Sequence, residues 1–61
     1  MNLEKELAEM TLKAIEINDK RSAERFYNHY LYYTRKILPE FDIDLQDKVM
    51  FKYAEYVTRD I

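Results

Sequence analysis

The stretch from Ser22 to Pro39 constrains the fold more than any other part of this chain. Phe26, Tyr27, Tyr30, Tyr32 and Tyr33 crowd together, Ile37 and Leu38 follow, and Pro39 comes next. At about 100° per residue, Ala23, Phe26, Tyr27, Tyr30, Leu31, Tyr33, Thr34, Ile37 and Leu38 share one arc roughly 160° wide. A face that broad needs cover on two sides, so the segment reads as the middle helix of a small bundle. Pro39 ends it, because proline has no N–H to donate and pushes the preceding residue out of helical geometry.

The first helix is expected over about residues 3–17. Leu3, Leu7, Met10, Ala14 and Ile17 are spaced 4, 3, 4, 3, the seam of a helix packed against another helix. Ala8, Leu12 and Ile15 project about 120° to 180° away from that seam. Either a third helix covers this strip or it faces another molecule. Continuing the same spacing into the next segment would place Arg21, Glu24, Asn28 and Arg35 in the contact, which no apolar partner accepts. The second segment has its own seam at Ala23, Tyr27, Tyr30, Thr34 and Ile37, rotated by about 200° from the first. A chain reversal between Asn18 and Ser22 brings the two seams together, with Asn18 in the left-handed conformation and Asp19 or Ser22 capping the next helix. One continuous helix through residues 18–22 is the alternative. The second helix then spans about 22–38. After Pro39, Asp44 and Asp47 mark a helix start, giving a third helix over about 45–59 with Leu45, Val49, Met50, Tyr53, Tyr56 and Val57 inward. The expectation is an all-α, single-domain three-helix bundle over 1–61, an antiparallel hairpin of helices 1 and 2 plus a third helix.

At 61 residues, such a chain buries only about 60% of the surface that its unfolded form exposes. Domains this small usually add disulfides, a metal or a partner chain. The chain has no Cys and one His, which excludes disulfides, thiolate metal sites and a multi-histidine site. Dimerisation through the outlying apolar strips is one means of completing the core. No apolar run approaches the roughly 18 residues of a membrane span, and no charged-then-apolar leader opens the chain. A cytoplasmic protein with no membrane partner is expected.

Charge is unevenly spread around an overall net of -2. Residues 1–19 hold two lysines against five acids, a net of -3; residues 20–38 hold five cations against Glu24, a net of +4; residues 39–61 hold three cations against six acids, a net of -3. A basic helix flanked by acidic ones draws its neighbours together at their rims, although exposed pairs are individually weak. The same helix offers Arg25, His29, Tyr32, Arg35 and Lys36 as a nucleic-acid surface. The acidic total makes that the lesser reading.

The sequence points to no enzyme and no cofactor. Gly is absent, which removes dinucleotide and P-loop fingerprints. His29 has no carboxylate at helical spacing to orient it as a base. Asp42, Asp44 and Asp47 lack the Gly and distal Glu of a calcium loop, and Glu6 with Glu9, or Glu16 with Asp19, lack the histidines of a di-iron site. What remains is surface: Leu12 and Ile15 on the first helix, Tyr32 on the second and Phe51 on the third lie off the expected inward arcs. Aromatic groups in such positions are enriched at interfaces, so these four are the expected protein-binding residues.

The segment Lys13-Ala14-Ile15-Glu16-Ile17-Asn18 followed by a second helix resembles a tetratricopeptide unit and the hairpin of small bacterial inhibitors of sporulation kinases. Each resemblance covers under two-thirds of the chain and carries no functional residues across. In style, being short, acidic, Gly-free and rich in Tyr and Lys, the chain is similar to early host-takeover products of bacteriophages. The resulting expectation is a small non-catalytic regulator or inhibitor that docks on a larger protein. The alternatives are a nucleic-acid binder and a structural subunit of a homo-oligomeric bundle.

Overall fold

A computed structural model describes residues 2–59, and among them the chain forms an all-α bundle of three helices. Helix α1 is Leu3–Glu16 and α2 is Lys20–Tyr32, which runs on into a π-helical turn, Tyr33–Ile37; α3 is Ile43–Val57. The long dimension is 36 Å and the other two are 18 and 15 Å. Helix α2 runs antiparallel to α1. Glu4 meets Asp42 at one end and Asn18 meets Tyr56 at the other, so α3 runs parallel to α1.

The α1–α2 reversal is made without glycine. Asn18 takes φ 59°, the Asn18 N–H donates to the Ile15 carbonyl (3.1 Å), and the Asp19 N–H donates to the Ala14 carbonyl (2.8 Å). These two bonds form a Schellman cap in which asparagine fills the left-handed position. Asp19 then caps α2 at once by accepting from the Ser22 N–H (3.2 Å). Because Asp19 and not Ser22 is the cap, α2 begins at Lys20, earlier than the spacing predicts, and the continuous helix through 18–22 is ruled out. The Asn18 side chain also accepts from the Tyr56 hydroxyl (2.8 Å), pinning the turn to the end of α3.

Pro39 acts as expected: Leu38 is extended, with ψ 130°. The turn before it is π-helical, closed by the Leu38 N–H on the Tyr33 carbonyl (3.0 Å). An i→i+5 turn advances roughly 20° less per residue than an α-helix. Ile37 is therefore carried out of the seam that holds Ala23, Tyr30 and Thr34, and it is exposed.

Helix α3 starts at Ile43 because Asp42, not Asp44, is the cap, accepting from the Leu45 N–H (3.0 Å). In a capping box the third helical residue reaches back to the cap N–H. That residue here is Leu45, which has no acceptor. Glu4 of α1 does the task from across the bundle, its Oε2 accepting from the Asp42 N–H (2.7 Å).

The core has two parts. Ala14, Ile15, Ala23 and Tyr56 pack near the turn with Phe26 and Tyr53. Ala8, Tyr30 and Val49 pack in the middle with Leu7, Leu12, Tyr27, Leu31 and Leu45. Small residues on α1 and α2 let the backbones approach closely, and the tyrosines fill the space towards α3. The expected inward seam of α1 holds at Leu7 and Ala14 and is corrected at its other three positions. Leu3, Met10 and Ile17 are exposed, while Ala8 and Thr11 are fully buried. Helix α1 packs on both other helices, and Thr11 tolerates burial because its hydroxyl donates to the Leu7 carbonyl (2.8 Å). On α3, Val57 is exposed and Gln46 is buried in its stead. The Gln46 amide donates to Thr34 Oγ1 (3.0 Å), and the Thr34 hydroxyl donates to the Leu31 carbonyl (3.2 Å).

Candidate interaction surface

The four expected protein-binding residues separate into two kinds. Ile15 is 8% exposed and belongs to the core; the third helix covers the strip that the sequence left open, so Ile15 leaves the candidate set. Leu12 is half-buried against the Ala8, Tyr30 and Val49 cluster. Tyr32 and Phe51 are 61% and 66% exposed. Each stands two residues after a fully buried one, Tyr30 or Val49, and so points about 200° round its helix from the core. Leu12, Tyr32 and Phe51 thus belong to three different helices.

Arg25, His29, Arg35 and Lys36 are all exposed, as is Asn28. With Tyr32 they make a basic strip along the outer side of α2 and its π turn. A shallow hollow beside it is lined by Ser22, Arg25, Phe26 and His29.

Sequence reasoning missed two exposed apolar series. On α1, Leu3, Met10 and Ile17 are 43%, 45% and 59% exposed; their heptad spacing is plain in the sequence but reads as an inward seam. On α3, Ile43 and Val57 are exposed, with half-buried Met50 and exposed Ala54 between them on the same side, Asp47 interrupting the strip and Phe51 flanking it. A shallow, open concavity of about 670 Å³ lies between α1 and α2 and is lined by Glu6, Glu9, Met10, Lys13 and Phe26.

Two phenols have altered acidity. The Tyr30 hydroxyl is buried and finds no hydrogen-bond partner among the described residues. Burial, followed by the nearby Glu4 and Asp42 carboxylates, pushes its pKa up to about 12. Tyr53 stacks on Tyr27 with ring centroids 3.8 Å apart and planes 9° apart. Burial first, then Glu24 and the neighbouring tyrosines, raise its pKa too. Both groups stay protonated at neutral pH, which suits packing and not proton transfer. Among the described residues no group of three or more His, Asp or Glu side chains is placed to hold a metal ion. None of the described helices is long and apolar enough to cross a membrane.

Set against known protein families, curated proteins and solved structures, the chain matches none.

Proposed function

We propose that this chain is a small non-catalytic regulator or inhibitor that docks on a larger protein, with the outer side of α3 as the contact. The observation that carries this reading is the strip of exposed Ile43, Ala54 and Val57 and half-buried Met50, with Phe51 beside it. Isolated exposed apolar residues are ordinary. Here they are aligned on one side of a single helix whose opposite side, at Leu45, Val49 and Tyr56, already serves the core. A helix presenting such a row fits an apolar groove, the mode in which a few anchors at helical spacing carry the affinity. A short chain that exposes this much apolar surface suits a phage-type host-takeover product, which acts by occupying a site on a host protein.

The basic strip on α2 supports a second reading, a nucleic-acid contact through Arg25, His29, Tyr32, Arg35 and Lys36. One experiment separates the two. Phe51→Asp and Ile43→Asp should abolish capture of a protein partner while leaving helicity and melting unchanged. Arg35→Glu with Lys36→Glu should leave that capture intact. Binding that weakens steeply with salt and is lost only in the charge-reversed chain would favour the nucleic-acid reading.

A further inference from the structure

We infer that a second copy of this chain docks on the α1/α2 groove, with the two α1 helices antiparallel about a two-fold axis at Met10. The site lies on α1, away from the α3 contact proposed above, and can fail or stand without it.

The first ground is the pattern of the exposed stripe. Leu3, Met10 and Ile17 lie along the outer side of α1, and Glu6 and Lys13, both exposed, fill the positions between them. An isologous contact must be complementary to itself, and this stripe is. With the axis at Met10, Leu3 faces Ile17 of the second copy, Met10 faces its own counterpart, and Glu6 comes level with Lys13 of the second copy to within about 1.5 Å along the helix. The symmetry repeats that charge pair. Parallel order would instead set Glu6 on Glu6 and Lys13 on Lys13, so the charges select the antiparallel arrangement.

A second ground is the groove. Met10 of α1 and Phe26 of α2 both line this shallow groove, with Glu6, Glu9 and Lys13. Beyond Phe26 stand Arg25 and His29, on a segment of net +4, ready for an incoming α1 drawn from a segment of net -3.

The test is sedimentation of the full chain from micromolar to millimolar concentration. Reversible dimerisation is expected. Met10→Glu should raise the dissociation constant about tenfold or more while circular dichroism stays native. Glu6→Lys and Lys13→Glu should each weaken the dimer, and the two together should restore it. The chain has no cysteine, so Met10→Cys should crosslink to a dimer on mild oxidation, well ahead of Phe51→Cys. A lone monomer at millimolar concentration would overturn the inference. So would a double charge swap as weak as the single ones, or Phe51→Cys crosslinking as fast as Met10→Cys.

Discussion

Replacing Tyr30 with phenylalanine should stabilise the protein, although Tyr30 is the largest of the fully buried side chains. The ring fills the middle of the bundle against Ala8 and Val49, and the variant keeps that ring. What it loses is a hydroxyl with no partner among the described residues. A buried hydrogen-bonding group left unpaired costs about 1–3 kcal/mol, so the expected gain at neutral pH is about 1 kcal/mol. That corresponds to about 4–8 °C in the melting temperature of a domain this size. The pH dependence gives a second reading of the same atom. Tyr30 keeps its proton up to about 12 in the folded chain, against 10.0 for an ordinary tyrosine. Between those values the unfolded chain binds fewer protons than the folded one, so stability falls as pH rises. The slope is about 1.4 kcal/mol per pH unit. Below pH 10 the contribution is fully present and constant. The advantage of Tyr30→Phe should therefore widen by about 1 kcal/mol between pH 9 and pH 11, while the contribution of Tyr53 cancels between the two chains. Urea denaturation followed by far-ultraviolet circular dichroism measures this directly. A variant less stable than the native chain at neutral pH, with a gap that does not widen in alkali, would refute the reasoning.

The turn and the buried polar pair give two further tests by the same assay. Asn18→Ala should cost about 1–2 kcal/mol, since alanine lacks the short polar side chain by which asparagine tolerates the left-handed conformation, whereas Asn18→Gly should lose little beyond the bond from Tyr56; equal losses would show that φ 59° is not what matters there. Thr34→Val should cost about 1–3 kcal/mol, because it leaves the buried Gln46 amide without its acceptor, and Thr34→Ser should recover most of that.

The reversals were legible in the sequence because their signals are local. Asn18 follows the first seam directly and is suited to a positive φ, Asp19 is a good cap, and Pro39 dictates the geometry of Leu38. The exposure of Tyr32 and Phe51 was legible for a similar reason, each lying off an inward arc that contains Tyr30 or Val49. The facing of α1 was not. Ala8 weighs little in a hydrophobic pattern and Thr11 counts as polar, yet both are buried, while the more apolar Leu3, Met10 and Ile17 face out at a spacing that an inward seam would share. Ile15 was misplaced by the same inversion. Which of two aspartates caps α3 depends on Glu4, thirty-eight positions away from Asp42, and no local pattern carries that. The π turn that expels Ile37 also has no signature in its own residues.

The central functional claim is that an apolar helix face, and not the basic strip, makes the contact with a partner. The most direct measurement is quantitative mass spectrometry of lysate proteins retained by the immobilised chain after nuclease treatment, with Phe51→Asp and the paired Arg35→Glu and Lys36→Glu variants run alongside. A protein should be retained by the native and charge-reversed chains and lost from Phe51→Asp, whose melting curve should stay native. Retention that survives Phe51→Asp but disappears on charge reversal or nuclease treatment would contradict it.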